Sequence, residues 1–238
     1  VLLSILLVFF VLYPIVNTLV RYATLASALS LWAYLLWLSW PRHRLRAGWL
    51  GASAMLLGLC FVNGPGVSDA VLRDSYSRAL ARYEGTPYVW GGENWLGIDC
   101  SGLVRAAMID TQLRHGLLGL SPQYLRQAFR IWFYDAGADT LAAGFRQQTR
   151  VVLNTPSLNA LDHSQIQPGD FMVDNQGVHT MIYLGDQTWI EADPVQMKVI
   201  KVKVPSTIGW FKIPARIVRW RQLETSSGLS ANALTETI

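Results

Sequence analysis

The sequence predicts an α+β domain preceded by three transmembrane helices. Two observations carry this prediction. The first 63 residues contain no aspartate or glutamate and form three apolar runs, and acidic residues begin only at Asp69. Beyond that point, apolar residues recur first at helical spacing, and strand-like segments follow from Gln167 onward.

The charge distribution indicates a membrane segment and not a nucleic-acid-binding surface. Charged residues make up 15% of the chain, compared with about 25% in an average soluble domain. The only charged residues before position 64 are four arginines, which account for the whole formal net charge of +4. The rest of the chain is formally neutral, so the overall basic charge does not predict a nucleic acid partner.

The three apolar runs cover about residues 1–20, 23–40 and 47–63. Each is close to the roughly 20 residues that cross a bilayer core. A signal peptide is the alternative for the first run, but it predicts a single apolar segment and a cleavage site. A two-span arrangement is the next alternative. The loop 41–46 holds three arginines, and the positive-inside rule places it in the cytoplasm, which puts residues from 64 onward on the outer side.

The predicted domain covers residues 64–223, and the polar residues 224–238 are predicted to be disordered. A helix should begin at Ser68 or Asp69 and end near Tyr83, because apolar residues recur there at helical spacing. Further helices are predicted over 100–110 and from Ser121 onward, while most of 111–160 shows no clear pattern. Strands are predicted over residues 171–174, 178–184, 188–192, 198–204 and 210–218.

Cys100 is the candidate nucleophile, because it is the only thiol of the predicted domain and stands where a helix should begin. The free N–H groups and the dipole of a helix N-terminus favour a thiolate there, and they also stabilise a developing oxyanion. Glycines at 91, 92 and 97 allow the backbone to pass close to this residue. Cys60 lies in an apolar run and is interpreted as a small buried residue.

Of the three histidines in the domain, His179 is the best candidate base, because it opens a predicted strand. A three-residue loop at 185–187 places Glu191 on the same face as His179, one diagonal step away, and Asp193 directly opposite. Either carboxylate is a candidate for orienting the imidazole. No metal-ligand spacing and no cofactor fingerprint occurs, so neither a metal nor a cofactor is expected.

Four blocks of sequence, in order, resemble the NlpC/P60 cysteine peptidases: GTPYVWGG at 85–92, DCSGLV at 99–104, QPGD at 167–170 and VHTMIYLGD at 178–186. The resemblance implies a papain-like α+β fold, a Cys-His-polar triad, and hydrolysis of peptide bonds in the stem peptides of bacterial peptidoglycan. It implies that Cys100 is the nucleophile, His179 the base, and Tyr88 an oxyanion residue. By the same resemblance, Asp99 and Ser101 bind the free amine of the stem peptide.

Two departures from the family pattern bear on the substrate. The position of the third triad residue, usually His, Asn or Gln, holds Glu191, and a nearby carboxylate should raise the pKa of His179. Cys100 and His179 are 79 residues apart, which exceeds the usual spacing, so the extra material near 115–160 is expected to cover or reshape the substrate groove.

The sequence therefore predicts a hydrolase in the bacterial inner membrane, with its catalytic domain on the periplasmic or extracellular side. Its expected partners are peptidoglycan stem peptides and the lipid bilayer, and a second membrane protein is a further candidate. Two alternatives stay open: a thiol amidase or acyltransferase acting on another substrate, and a cell-wall binding module without catalysis. The order of Cys100 before His179 argues against the permuted acyltransferases of this superfamily.

Overall fold

A computed structural model describes residues 1–224 of the protein; the predicted disorder of the tail from 225 onward lies outside the described residues. The described α-helices, in chain order, are α1 Leu2–Leu12, α2 Thr18–Ser39, α3 His43–Leu59, α4 Asp69–Arg82, α5 Cys100–Leu118, α6 Pro122–Phe133 and α7 Ala138–Ala142. The described strands are β1 Glu93–Asn94, β2 Gly97–Ile98, β3 Thr149–Thr155, β4 Phe171–Asp174, β5 Thr180–Gly185, β6 Thr188–Asp193, β7 Lys198–Lys203 and β8 Ala215–Trp220.

The domain is built on an antiparallel sheet of six strands in the order β3-β8-β4-β5-β6-β7. Helices α4 and α5 contribute to a large apolar core on one face, centred on side chains such as Tyr76, Leu103 and Trp220. A second apolar cluster around Trp189 and Phe211 fills the other face. The α+β prediction is confirmed. Helix α5 packs against strands β5 and β6 of the sheet.

Most predicted elements of the domain are present, with shifted ends. Helix α4 begins after Ser68, whose hydroxyl accepts a hydrogen bond from the Val71 amide, as expected for an N-cap. Helix α5 is longer than predicted and continues to Leu118. Strand β3 was not predicted at all. It pairs along β8 at the sheet edge with a register shift between Val151 and Leu153, so its side chains lack a clean alternation.

The prediction of three membrane spans is wrong in number. Among the described residues, only α2, at 22 residues, is long and apolar enough to cross a membrane, and α1 is a shorter apolar helix. The first apolar run is broken at Tyr13 and Pro14, where the backbone becomes extended. The third run forms α3, which begins with the basic residues of the loop and has only 17 residues.

Arg21 falls between the first two predicted runs, 1–20 and 23–40, which places it in a short loop, and this expectation is also wrong. It lies within α2, whose N-cap is Asn17, and its side chain is 1% exposed because it is buried in the catalytic domain. The far end of the α2 and α3 pair carries Arg42 and Arg46. The end of α3 returns to the domain, where Arg126 of α6 donates hydrogen bonds to the Val62 carbonyl, at 2.7 Å, and to the Asn63 side chain.

Candidate active site

Cys100 is the first residue of α5, and the side chain of Asp99 caps this helix. One carboxylate oxygen of Asp99 accepts hydrogen bonds from the Gly102 amide at 2.6 Å and the Ser101 hydroxyl at 3.0 Å. The other oxygen accepts from the Gly91 amide at 2.8 Å. Asp99 therefore connects the backbone of Gly91 to the start of α5, and this fixes the position of the Cys100 thiol.

His179, which directly precedes β5, and Glu191 of β6 form a buried pair. The strand register of Ile182 with Ile190 places Asp193 opposite His179 and Glu191 one diagonal step away, as predicted. The predicted three-residue loop is wrong, because Gly185 pairs with Thr188 and the loop is residues 186–187; a register shift between Tyr183 and Gly185 keeps Glu191 on the expected face. The Nε2 atom of His179 lies 2.7 Å from Oε2 of Glu191, and both residues are at most 2% exposed. Asp193 instead accepts hydrogen bonds from the backbone amides of Val195 and Gln196, so it holds the following turn.

The imidazole of His179 also interacts with the thiol of Cys100. Burial lowers the pKa of His179, but hydrogen bonds and charge interactions with Cys100 and Glu191 outweigh burial and raise this pKa to about 9. Since Nε2 is bonded to Glu191, Nδ1 is the nitrogen left for the thiol. The second carboxylate oxygen of Glu191, Oε1, has no hydrogen-bond partner among the described residues.

Two residues that the sequence analysis missed hold His179 in place. The indole of Trp210 stacks on the imidazole, with ring centroids 4.4 Å apart and planes 24° apart. The carboxylate of Asp174 accepts hydrogen bonds from the backbone amides of Val178 and His179, each at 2.7 Å. An aspartate three residues before Gly177 is a turn signal that could have identified Asp174; nothing in the local sequence points to Trp210.

Tyr88, Asp99 and Ser101 line the same groove as Cys100, as their predicted roles require. Burial raises the pKa of Tyr88 to about 12, with further contributions from the nearby Cys100 and Asp99. Burial also raises the pKa of Asp99, against the hydrogen bonds that lower it. The polar atoms of Asp99 and Ser101 bond to each other and to the backbone, so their predicted binding of a substrate amine remains a prediction.

The groove has a volume of about 350 Å³ and draws its walls from distant parts of the chain. Residues 135–139, which belong to the extra material expected to reshape the groove, form one wall. They contribute the exposed carboxylates of Asp135 and Asp139. Residues 15–17, between α1 and α2, form another wall. The other two histidines of the domain bond elsewhere, His115 to Ser75 and His163 to Trp189.

A family model for NlpC/P60 matches residues 85–219, which is more than half of the chain and includes all the candidate site residues. The chain belongs to the NlpC/P60 family. The resemblance in the four sequence blocks is thereby confirmed, and the matched region of this NlpC/P60 chain excludes α1, α2 and α3. A search of curated proteins found no match.

Several solved structures are similar to this NlpC/P60 chain at low identity. A NlpC/P60 family protein from Bacillus cereus is 18% identical with a TM-score of 0.40, over 64% of this chain and 40% of that one. An N-acetylmuramoyl-L-alanine amidase from Bacteroides uniformis is 15% identical with a TM-score of 0.46, over 63% and 98%. The peptidoglycan hydrolase RipB from Mycobacterium tuberculosis is 19% identical with a TM-score of 0.39, over 79% and 85%. The chain thus spans less than half of the Bacillus cereus protein.

Proposed function

We propose that this chain is a membrane-anchored cysteine peptidase that hydrolyses peptide bonds in peptidoglycan stem peptides through Cys100, His179 and Glu191. The observation that carries the proposal is the buried His179–Glu191 pair, 2.7 Å apart, beside a cysteine at a helix N-terminus in a groove. Family membership supports the reaction class. The acyl-transfer chemistry of a thiol activated by a histidine fits these residues.

In the proposed reaction, His179 is a cation at neutral pH because its pKa is about 9. The thiolate of Cys100 attacks the scissile carbonyl carbon and forms a C–S bond, while backbone N–H groups at the start of α5 and the Tyr88 hydroxyl stabilise the oxyanion. His179 gives its proton to the leaving amine as the C–N bond breaks. Neutral His179 then takes a proton from water, which attacks the thioester, releases the carboxylic acid product and restores the thiolate.

Glu191 is proposed to orient His179 and to stabilise its positive charge, because its carboxylate is the buried partner of Nε2. Trp210 and Asp174 act through His179 by fixing its ring and its backbone. Removing one charge of a buried pair leaves the other uncompensated, so the site depends on both members of the pair.

Membrane anchoring is proposed from α2 and from the geometry around it. The part of α2 beyond the buried Arg21, residues 22–39, is about 27 Å long, close to the roughly 30 Å of a bilayer core. Trp32 of α2 donates a hydrogen bond to Ser53 of α3, so α3 returns the chain alongside α2. The arginine-rich turn lies at the end remote from the domain, and the positive-inside rule then places the domain outside the cytoplasm.

The test uses the full chain in detergent micelles with defined muropeptides and mass spectrometry of the products. We expect the Cys100→Ala variant to lose all measurable cleavage, because no other described thiol lies in the groove. The matched control is Cys60→Ala, since Cys60 is exposed and outside the groove. The product masses identify the bond, and they separate a peptidase from an amidase. Equal cleavage by the parent and the Cys100→Ala variant would refute the proposal.

A further inference from the structure

The segment between α1 and α2, residues 13–17, is called the docking loop here. It lies directly against residues 91 and 92, which we call the active-site turn. The Val16 amide donates a hydrogen bond to the Gly91 carbonyl at 3.0 Å, and the Glu93 amide donates to the Pro14 carbonyl at 3.1 Å. The Asn94 side chain adds a bond to the Tyr13 carbonyl at 2.9 Å. The docking loop therefore pairs with the turn as a short strand would.

The docking loop packs closely against the glycines at 91 and 97, although the tightest contact at position 97 is with Val89. A Cβ at position 91 would lie 3.3 Å from the Cγ2 atom of Ile15, and the backbone there has a φ of +74°. A Cβ at position 97 would lie 3.1 Å from the Cβ of Pro14. Because the glycines leave this space free, the docking loop reaches the backbone next to Cys100.

A buried ion cluster fixes the docking loop from behind. Arg21 of α2 lies 2.8 Å from one oxygen of Glu93, and Arg105 of α5 lies 3.0 Å from the other. Both arginines also contact the half-exposed Asp135, at 3.1 and 3.2 Å. Arg21 further donates a hydrogen bond to the Trp132 carbonyl. The two arginines and two carboxylates balance in charge only when Arg21 is present.

A series of contacts connects the ion cluster to Cys100, through Glu93, the active-site turn and Asp99. Burial raises the pKa of Glu93, and the guanidiniums of Arg105 and Arg21 oppose that rise. Loss of Arg21 would raise the pKa of Glu93 further, because one of the two opposing guanidiniums would be gone. It would also remove the ion pair that connects α2 to Glu93, next to the active-site turn. The Gly91 amide of that turn bonds to Asp99, and Asp99 caps the helix that begins at Cys100.

We propose that the docking loop is a substrate-contacting wall of the catalytic groove, and that Arg21 is the positioning residue that holds it there. Ile15, Val16 and Asn17 line the same groove as Cys100 and Tyr88. The N-terminal helices thus contribute to substrate selection as well as to anchoring. The inference rests on the proposed function for its substrate class, a peptide that passes between the docking loop and the wall at Asp135.

The first experiment tests the docking geometry without any substrate. In a Cys60→Ala background, Val16→Cys is treated with a short bifunctional maleimide. We expect an intramolecular cross-link to Cys100, because both positions line one groove. The matched control is Leu38→Cys, at the opposite end of α2, which should give no such cross-link. Absence of a cross-link from position 16, with both thiols individually reactive, would overturn the proposal.

The second experiment measures kcat and KM on two muropeptides that differ in stem length. We expect Arg21→Met to lower kcat/KM about tenfold or more, because it leaves buried carboxylate charge uncompensated. Arg46→Met, which removes an arginine stacked on Trp40, should stay within about twofold. Arg21→Lys, which keeps the charge but not the forked geometry, should fall between the two.

Contact with the substrate is tested by Ile15→Ala, with Ile5→Ala of α1 as the matched control. We expect Ile15→Ala to change the ratio of kcat/KM for the two muropeptides about fivefold or more, because one lost apolar contact is worth about 1–3 kcal/mol. Ile5→Ala should leave that ratio unchanged. An unchanged ratio for Ile15→Ala would overturn the role of the wall. If the parent cleaves neither muropeptide, the proposed function is refuted, and the cross-link still decides whether the docking loop lies in the groove.

Discussion

Two groups of charged residues are buried next to the groove, and they differ in the sequence separation of the residues that form them. The proposed catalytic pair joins His179 and Glu191, which are 12 residues apart in one hairpin. The ion cluster joins Glu93 to Arg21, 72 residues away in a helix outside the family domain. Both members of the pair are almost completely excluded from water, and so are Arg21, Glu93 and Arg105 of the ion cluster, whereas Asp135 is half-exposed. All residues of the proposed reaction lie within the family domain, whereas residues 15–17, outside that domain, also line the groove.

The largest effect is expected from breaking the ion cluster at its centre. Glu93→Gln leaves two buried guanidiniums with only the half-exposed Asp135, which should cost about 3–5 kcal/mol of stability. For a chain of this size, the melting temperature should fall by roughly 6–20 °C. The measurement is thermal unfolding of the full chain in detergent.

The matched control for that measurement is Glu84→Gln. Glu84 pairs with Lys201 at 2.6 Å, but both side chains are substantially exposed. Exposed pairs contribute about 0–1 kcal/mol, so the melting temperature should hardly change. Equal shifts for the two variants would show that the ion cluster does not hold the docking loop to the domain.

The sequence was sufficient to predict that Glu191 lies on the same face as His179, because the determinants of that contact are local. Alternation along two strands and a short loop set the register, and the register puts Glu191 on the side of His179. The cap at Asp99 is equally local, since it acts within three residues. The α4 helix, the strands of the hairpin and the position of Cys100 at a helix start all follow from such short-range patterns.

The ion cluster and the number of membrane spans could not be obtained in that way. An arginine between two apolar runs predicts a loop residue between two spans. Only the tertiary contacts show that Arg21 is buried and pairs with Glu93 and Asp135. The first apolar run has the composition of a span, but the docking loop interrupts it. Trp210 reaches His179 from a different segment of the chain, so no spacing rule connects the two rings.

The next largest effect is expected at the catalytic pair itself. Glu191→Gln keeps an acceptor for Nε2 but removes the charge, so kcat/KM should fall by about 100-fold to 10,000-fold. The pKa of His179 should also fall, because Glu191 is one of the groups that raise it to about 9. Activity of the parent should therefore decline as the pH rises through about 9, where His179 loses the proton for the leaving amine, and in the variant this decline should begin at a lower pH.

Asp193→Asn is the matched control for Glu191→Gln, because Asp193 lies opposite His179 yet bonds only to the backbone of the next turn. Its pH profile should coincide with that of the parent, and kcat/KM should stay within about threefold. The comparison of the two variants decides whether Glu191 or Asp193 orients the imidazole of His179 and raises its pKa. A shifted profile for Asp193→Asn with an unshifted one for Glu191→Gln would reverse the assignment.

The smallest effect is expected at Trp210, which touches the catalytic pair without sharing its charge. Its ring lies flat on the imidazole at 4.4 Å, where a cation and an aromatic face attract each other by about 0.5–2 kcal/mol. Trp210→Ala should lower kcat about 3–30-fold by freeing the ring of His179, with KM little changed. Trp210→Phe retains an aromatic face and should recover most of that loss. If Phe is as slow as Ala, the indole acts by filling space and not by stacking, and His179 then depends on Glu191 and the Asp174 turn alone for its position.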